Sequence, residues 1–264
     1  MIDIHTHLVP GLDDGSPDLK TTVEQLTKAA RAGIKRIYLT SHYFKGHYEY
    51  SREVYDTKFK EIESELAKAD VKLELRPGFE VFAQAGIIED VIAKSLYLGD
   101  SKYVLVESDL NGLPPDFYTS VYPLLRAGLK PILAHAERYV SIMQKPTDAR
   151  SLIERNIYMQ INASSLVGQY GDKVKTTAKT LIENGWAHFV ASDNHGRTPV
   201  ESYLDAHTLI SSRIDQRTAD MLMKDFPSRI ENNLQIPYRY VDVIRPKHHR
   251  RKRRSWFKRL LRYL

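Results

Sequence analysis

Short apolar segments alternate with helical segments along most of the chain, and this alternation constrains the fold more than any other feature. About seven segments have the composition of buried strands, at 2–7, 34–41, 71–79, 103–106, 131–134, 157–161 and 187–192. Segments with helical spacing lie between and after them, at 17–33, 52–69, 87–95, 116–126, 147–155, 173–184, 200–214 and 216–224. Ser16, which precedes Pro17, and Thr147 are predicted helix caps. We therefore predict an α/β protein with a parallel sheet, since an α+β protein would group its strands.

Histidine and acidic side chains follow six of the seven predicted strands. They are His5, His7, Asp14, His42, Glu80, Glu107, His135, Asp193 and His195. At the edge of an open sheet these side chains would be spread over more than about 20 Å, because neighbouring strands are about 4.8 Å apart. A barrel collects such groups at the C-terminal ends of its strands. The distribution therefore favours a closed barrel.

The same residues have the chemistry of a metal site. His5 and His7 are two residues apart in an extended segment, so their side chains point the same way, and the turn at Asp13-Asp14-Gly15 brings a carboxylate back over them. Imidazole and carboxylate ligands without sulfur suit manganese, iron or zinc better than calcium or magnesium. Each histidine alone could be an ordinary loop residue, but nine such residues at strand ends favour a metal centre.

Two arginines come two or three residues after candidate ligands. Arg138 follows His135, and Arg197 follows His195. A guanidinium group can bind phosphate oxygens in a bidentate fork, and the alternative for each arginine is a surface salt bridge. The chain contains no cysteine. This excludes disulfides, thiolate metal sites and any mechanism with a cysteine nucleophile.

The net charge of +6 is unevenly distributed. Residues 245–264 contain ten of the 39 basic residues and no acidic one, so the rest of the chain has a small acidic excess. Five apolar side chains of this tail fall on one helical face, and basic side chains take the other: Trp256, Phe257, Leu260, Leu261 and Leu264 against Lys258, Arg259 and Arg262. We predict one domain over 1–240 and a polybasic amphipathic tail over 241–264 that binds an anionic membrane surface. A solvated tail, a subunit contact and loose nucleic-acid binding are the alternatives, and we expect no specific nucleic acid.

No signal peptide and no apolar run of about 20 residues, the length that spans a bilayer, are present in the sequence. We therefore expect a cytoplasmic protein, located at the inner face of the membrane if the tail binds there.

An ordered set of motifs resembles the PHP (polymerase and histidinol phosphatase) superfamily. The motifs are His5-x-His7 with Pro10-Gly11-x-Asp13-Asp14-Gly15, Ser41-His42, Gly78-Phe79-Glu80, Ala134-His135-x-Glu137-Arg138-Tyr139, Gln160-x-Asn162-x-Ser164 with Gly168, and Ser192-Asp193-x-His195. Within the superfamily the chain is most similar to the manganese-dependent tyrosine-protein phosphatases that bacteria encode with capsule and exopolysaccharide genes. The similarity extends from residue 1 to about residue 235.

The resemblance implies a distorted TIM-like (β/α)7 barrel, the PHP fold, that holds three divalent ions. By similarity, one ion would take His5, His7, Glu80 and Asp193, a second would share Glu80 and add Glu107 and His135, and a third would take Asp14, His42 and His195. Manganese is the expected metal, with iron or zinc as alternatives. Arg138 and Arg197 would bind phosphate and stabilise the charge of the transition state, and a metal-bound hydroxide would be the nucleophile.

Three departures from the family pattern are visible. Ser41-His42-Tyr43 stands where the family has Pro-His-His, and His135-Ala136-Glu137-Arg138 stands where it has His-Pro-Glu-Arg. Neither change removes a ligand. Arg197 comes only two residues after His195, closer than the second arginine of the family.

The implied activity is hydrolysis of phosphotyrosine in proteins, with a membrane-associated bacterial tyrosine autokinase as the expected substrate and capsule or exopolysaccharide synthesis as the process. Histidinol phosphate or another small phosphomonoester, and the nuclease activity of polymerase-linked PHP domains, are the alternatives with the same chemistry. A non-catalytic membrane or nucleic-acid adaptor is the alternative of another class, and loss of metal ligands would indicate it. The resemblance is also compatible with a homo-oligomer.

Overall fold

A ring of parallel strands forms the centre of the fold. The structure is a computed structural model and describes residues 1–113 and 117–238. Seven strands in these residues form one sheet in which the spatial order is the chain order. They are β1 (Ile2–Asp3), β2 (Arg36–Tyr43), β3 (Glu74–Phe82), β4 (Tyr103–Glu107), β5 (Lys130–Leu133), β6 (Tyr158–Asn162) and β7 (Phe189–Ala191). Every neighbouring pair is parallel.

The first and last strands meet through the residues that follow them. Thr6 and Asn194 form an isolated parallel bridge, and the His7 amide donates a hydrogen bond of 2.8 Å to the Asn194 carbonyl. The Asp193 amide donates to the His5 carbonyl at 2.9 Å. The sheet is therefore a nearly closed barrel, which confirms the predicted distorted (β/α)7 fold.

Helices cover the outside of the barrel. They are α1 (Leu19–Arg31), α2 (Arg52–Lys68), α3 (Ile87–Ala93), α4 (Phe117–Arg126), α5 (Val140–Gln144), α6 (Thr147–Ile153), α7 (Ala163–Val167), α8 (Asp172–Glu183), α9 (Glu201–Arg213), α10 (Gln216–Asp220) and α11 (Phe226–Glu231). A 3-10 turn at Ala136–Arg138 precedes α5, and a π-helical turn at Met221–Asp225 joins α10 to α11. The sequence does not predict α5, α7 or α11, because a helix this short shows little periodicity.

Some predicted boundaries are wrong. Asp18, not Ser16, caps α1, since its side chain accepts a hydrogen bond of 2.7 Å from the Thr21 amide. Ser16 belongs to the preceding loop, where its amide donates a hydrogen bond of 2.8 Å to the His7 carbonyl. Thr147 is the first residue of α6 rather than its cap. β1 ends at Asp3, so the candidate ligands His5 and His7 follow the strand instead of lying in it.

Buried tyrosines connect the barrel to α9 and to the segment that follows α11. The hydroxyl of Tyr103 donates to the Leu234 carbonyl at 2.7 Å, and that of Tyr158 donates to the Ile236 carbonyl at 2.9 Å. The Tyr203 hydroxyl of α9 donates to the Ile2 carbonyl of β1 at 2.7 Å. Each ring fills core volume while its hydroxyl satisfies a backbone acceptor, so burial leaves no polar group unpaired at these positions.

The predicted tail over 241–264 and the domain boundary at 240 lie outside the described residues. Within the ranges given above, no helix has the length and apolar composition needed to cross a bilayer.

His188 is a fully buried histidine away from the mouth of the barrel. The Met159 amide donates a hydrogen bond to its Nδ1 at 3.0 Å, so the ring proton is on Nε2, which lies 3.0 Å from the Tyr238 carbonyl oxygen. Burial lowers the pKa of His188 to about 4. The neutral ring thus joins β6 to Tyr238.

We predict that His188 makes folding stability depend on pH. Since its pKa is lower in the folded chain than in the unfolded chain, the unfolded state binds the extra proton first, and stability falls as the pH drops below about 6.5. Between pH 7 and pH 5 this histidine should cost about 2 kcal/mol. Urea unfolding at both pH values should show a smaller loss in the His188→Asn variant, because the other titrating groups are common to both proteins. An equal loss in both would contradict the prediction.

Candidate metal centre

All nine predicted ligands lie together at the C-terminal mouth of the barrel. His42, Glu80 and Glu107 belong to β2, β3 and β4, whereas the other residues occupy the segments that follow β1, β5 and β7. Those other residues are His5, His7, Asp14, His135, Asp193 and His195. Parallel strands in chain order therefore bring together side chains that are up to 190 residues apart in sequence (His5 to His195).

Glu80 is the centre of the group. Its Oε2 lies 3.1 Å from Nε2 of His5 and 3.1 Å from Nε2 of His7. The same oxygen is 3.2 Å from Nδ1 of His42, and Oε1 is 3.0 Å from Nε2 of His135. Imidazole groups from three different strands and their loops thus surround one buried carboxylate.

Three further carboxylates complete the arrangement. Oδ1 of Asp193 is 3.4 Å from Nε2 of His5 and 3.4 Å from Nε2 of His7. Oε1 of Glu107 is 2.8 Å from Nδ1 of His42. At the outer edge, Oδ1 of Asp14 lies 3.5 Å from Nε2 of His42 and 3.5 Å from Nε2 of His195.

Three sets of these side chains have the spacing of metal ligands, with donor atoms within 4.8 Å of one another. The sets are His5, His7 and Asp193; His42, Glu80 and Glu107; and His7, Asp14, His42 and His195. They overlap with the three sets that the family resemblance implies and differ in three ways: the first set lacks Glu80, the second has His42 where the resemblance expects His135, and the third adds His7. The assignment of residues to individual ions stays a prediction.

The positions of these nitrogen and oxygen atoms suit coordination of a cation better than hydrogen bonds among the side chains themselves. Both oxygens of Glu80 and Nδ1 of His42 are buried and make no well-aligned hydrogen bond with any described residue, although ring nitrogens lie 3.0–3.2 Å from the Glu80 oxygens. Burying a carboxylate without donors is unfavourable unless a positive charge compensates for it. Oxygen and nitrogen lone pairs that converge in this way match the chemistry of a divalent metal site.

The electrostatics of the site favour the ionised forms of Glu80, Asp193 and Asp14. Burial disfavours the charged forms, but the surrounding imidazoles outweigh it and lower the pKa of Glu80 and of Asp193 far below the ordinary range. The hydrogen bond from His195 lowers the pKa of Asp14 to about 2. Burial likewise opposes protonation of His5, yet Glu80 and Asp193 raise its pKa to about 9. Cations and protons therefore compete for the same imidazoles.

Asp13 orients the ligands, and sequence reasoning did not assign it this role. Its Oδ2 is 2.9 Å from Nδ1 of His7 and accepts a hydrogen bond of 2.8 Å from the His42 amide. This contact leaves Nε2 of His7 directed at the centre, in the carboxylate–histidine–metal arrangement that is common in proteins. Only glycine fits at position 15, because a Cβ there would lie 2.1 Å from the His7 carbonyl oxygen. In the sequence, the Asp13-Asp14-Gly15 turn is the feature that could have indicated this role of Asp13.

β6 supplies a polar network in place of a ligand. Oε1 of Gln160 lies 3.0 Å from Nδ1 of His5 and accepts a hydrogen bond of 2.9 Å from the His135 amide. The Gln160 side chain donates to Asn162, which in turn donates to Oδ2 of Asp193 at 2.7 Å. The two amides therefore position three candidate ligands. The Gln160-x-Asn162 motif was the sequence signal for them.

Two candidate ligands have a strained backbone. His135 has φ of 35° and Asp193 has φ of 54°, in the left-handed region that residues other than glycine seldom adopt. Such conformations persist where the surrounding structure enforces them, and they concentrate at functional sites. Here each ligand is the second residue after the end of a strand, so the turn aims its side chain back over the barrel.

Both candidate phosphate-binding arginines lie at the mouth. Nη1 of Arg138 is 3.5 Å from Oδ2 of Asp193, and its guanidinium carbon is 4.6 Å from the centre of the Tyr170 ring. Arg138 is partly exposed, so its remaining donors can reach a ligand. Arg197 is exposed and donates a hydrogen bond of 2.9 Å to the Asp14 carbonyl. The arginines thus border the carboxylate and imidazole cluster without entering it.

Comparisons with known proteins agree with this geometry. The sequence profile of the family "Capsular polysaccharide synthesis, CpsB/CapC" matches residues 1–232. The tyrosine-protein phosphatase YwqE of Bacillus subtilis is 33% identical over 196 residues, which cover 74% of this chain and 77% of YwqE. The tyrosine-protein phosphatase CpsB of Streptococcus agalactiae is 29% identical over 240 residues, which cover 88% of this chain and 99% of CpsB.

Solved structures give the same result. A structure from a study of YwqE from Bacillus subtilis and CpsB from Streptococcus pneumoniae, which are metal-dependent tyrosine phosphatases, superposes with a TM-score of 0.81 at 30% identity, over 90% of this chain and 96% of that one. A histidinol phosphate phosphatase from Lactococcus lactis shares the fold, with a TM-score of 0.53 at 13% identity, over 84% of this chain and 94% of that one. The chain belongs to the CpsB/CapC family of capsular polysaccharide synthesis proteins.

Proposed function

We propose that the chain is a metal-dependent protein-tyrosine phosphatase that acts in capsular polysaccharide synthesis. The observation that carries the proposal is the convergence of imidazoles and carboxylates on the buried Glu80, with Arg138 at the border of the cluster. Relatives with tyrosine-phosphatase activity in their names cover most of the chain. The absence of cysteine leaves no route through a phosphocysteine intermediate.

Manganese is the metal that we propose for the centre, with iron or zinc as alternatives. His5, His7, Asp14, His42, Glu80, Glu107, His135, Asp193 and His195 would hold it. When bound, divalent ions supply positive charge for phosphate oxygens and lower the pKa of water so that it can act as a nucleophile near neutral pH.

Arg138 binds the phosphate group of the substrate in this proposal. Asp193 on one side and the ring of Tyr170 on the other hold its guanidinium group, so the arginine is oriented before the substrate arrives. Donors fixed in this way stabilise the charge that develops on the oxygens during phosphoryl transfer. Arg197, held by the Asp14 carbonyl, would bind phosphate at the outer edge.

Removal of the metal tests the proposed chemistry. Exhaustive treatment with EDTA should abolish turnover of a phosphotyrosyl peptide, and added Mn²⁺ should restore it, since the proposed nucleophile depends on the metal. Alkylation with iodoacetamide should have no effect, because the chain has no thiol. Kinetics with histidinol phosphate should give a lower kcat/KM than with the peptide. Activity that survives chelation, or a preference for histidinol phosphate, would contradict the proposal.

The Arg138→Lys variant tests phosphate binding. Lysine keeps the charge but loses the bidentate fork, so kcat/KM for a phosphotyrosyl peptide should fall by about 10²-fold. Metal content, measured by elemental analysis, should stay that of the wild type. Arg126→Lys, in the last turn of α4, is the matched control and should leave both quantities unchanged. Loss of metal together with activity would show that Arg138 is structural.

We also propose that the substrate is a bacterial tyrosine autokinase at the membrane and that the tail brings the enzyme to it. The proposal rests on the sequence of residues 245–264, in which ten basic residues accompany apolar residues at helical spacing. Attachment would place the enzyme at the cytoplasmic face of the membrane and raise its encounter rate with such a kinase. A homo-oligomer would add avidity to this attachment.

Deletion of residues 245–264 tests the attachment. The full chain should sediment with anionic vesicles and not with neutral ones, because each basic side chain near an anionic surface contributes about 1 kcal/mol before screening. The shortened chain should stay in the supernatant and should hydrolyse a small aryl phosphate at the wild-type rate. Sedimentation that is unchanged by the deletion would refute the role of the tail.

A further inference from the structure

Two tyrosines stand across the mouth of the barrel from each other, and the proposed chemistry uses neither of them directly. Tyr48 lies in the segment between β2 and α2, and Tyr170 lies between α7 and α8, after β6. Because the strands follow one another around the barrel in chain order, the loops after β2 and β6 are on opposite sides of the mouth. The candidate metal centre lies between them.

Tyr48 is held rigidly by a small hairpin. The Phe44 amide donates a hydrogen bond of 2.9 Å to the Tyr48 carbonyl, and the Phe44 ring stacks on Phe82 at the end of β3, with ring centres 4.2 Å apart. Tyr48 itself stacks on the candidate ligand His42, with ring centres 5.5 Å apart and planes 12° from parallel. The Tyr50 hydroxyl donates to the His42 carbonyl at 2.9 Å and secures the returning strand of the hairpin. The ring is thus positioned in advance beside the centre.

Tyr170 is fixed from the other side. The guanidinium carbon of Arg138 lies 4.6 Å from the centre of its ring, and 43% of the residue remains exposed. Gly168, at φ of 94°, ends α7, and its carbonyl accepts a hydrogen bond of 3.1 Å from the Gly171 amide, which closes a tight turn around Tyr170. Burial and the charge of Asp193 raise the pKa of the Tyr170 hydroxyl, so the hydroxyl is neutral.

We infer that Tyr48 and Tyr170 form the two walls of a subsite for the phenyl ring of phosphotyrosine, an inference that rests on the proposed phosphatase function. A phosphate group bound by the centre and by Arg138 directs its ester substituent outward, between the two loops. The proposed metal centre and Arg138 would contact only phosphate oxygens, so they would not distinguish an aryl ester from an alkyl ester. Aromatic walls do, because a phenyl ring stacks on them and a short aliphatic group gains much less.

A purely structural role gives a different expectation. If Tyr170 only supported Arg138 and Tyr48 only packed on His42, their removal would weaken turnover of every phosphoester by the same factor. The decisive quantity is therefore the ratio of kcat/KM between two esters. Aryl phosphates have the better leaving group, but this advantage cancels when the ratio in a variant is divided by the ratio in the wild type.

The experiment compares a phosphotyrosyl and a phosphoseryl peptide of the same sequence on the full chain loaded with Mn²⁺. In Tyr48→Ala and in Tyr170→Ala, the ratio of kcat/KM for the phosphotyrosyl peptide to kcat/KM for the phosphoseryl peptide should fall about tenfold, beyond any loss that the two peptides share through Arg138 or His42. Tyr48→Phe and Tyr170→Phe should retain the wild-type ratio. Tyr122→Ala on α4, where the residue is 48% exposed, is the matched control and should change neither value.

Binding of inert analogues gives a second readout that does not depend on turnover. Calorimetry should show that the wild type binds benzylphosphonate more tightly than butylphosphonate and that both alanine variants lose this preference. Equal losses for both phosphonates, or an unchanged preference, would overturn the subsite. A wild type that prefers benzylphosphonate but does not hydrolyse the phosphotyrosyl peptide would refute the proposed function and leave the aromatic subsite supported.

Discussion

The buried carboxylate of Glu80 is the group on which the rest of the structure depends. An ionised side chain in this position is unfavourable without compensating charge, and imidazoles from β2 and from the segments after β1 and β5 provide it. Because these partners come from different parts of the barrel, the centre is satisfied only when the whole ring of strands is assembled. The site is therefore complete only when the barrel itself is complete.

A layer of polar side chains around the ligands sets their orientation. Asp13 faces His7, and Gln160 faces His5, so the inward ring nitrogens of both histidines are directed at Glu80. Asn162 holds Asp193, whose left-handed backbone costs about 1–3 kcal/mol and persists because the network enforces it. Metal ligands that are held in this way bind more tightly than free side chains, since little order has to be created on binding.

Much of this arrangement could be predicted from the sequence, for a physical reason. Strands buried on both sides are apolar runs, and polar residues at their C-terminal ends are conspicuous, which is how Glu80 and Glu107 are found. Roles set by tertiary contacts give no such signal. Asp13 and Asp14 are adjacent and chemically identical, and only the folded loop directs Asp13 behind His7 and Asp14 toward His195. For the same reason the sequence makes Ser16 a plausible helix cap, whereas in the structure its amide donates a hydrogen bond to the His7 carbonyl.

The choice of substrate has to come from outside the metal centre. The barrel is shared with a histidinol phosphate phosphatase at low identity, and a fold alone does not determine what is bound. Phosphate is common to every phosphomonoester, so a centre that contacts phosphate oxygens selects the reaction and not the alcohol. Discrimination is left to the loops at the mouth, which are free to vary because the barrel holds the ligands. In this chain those loops present Tyr48 on one side and Tyr170 on the other. Tyr48 packs on the candidate ligand His42 and Tyr170 packs on Arg138. The residues that would recognise the phenyl ring therefore also support residues that would bind the metal and the phosphate.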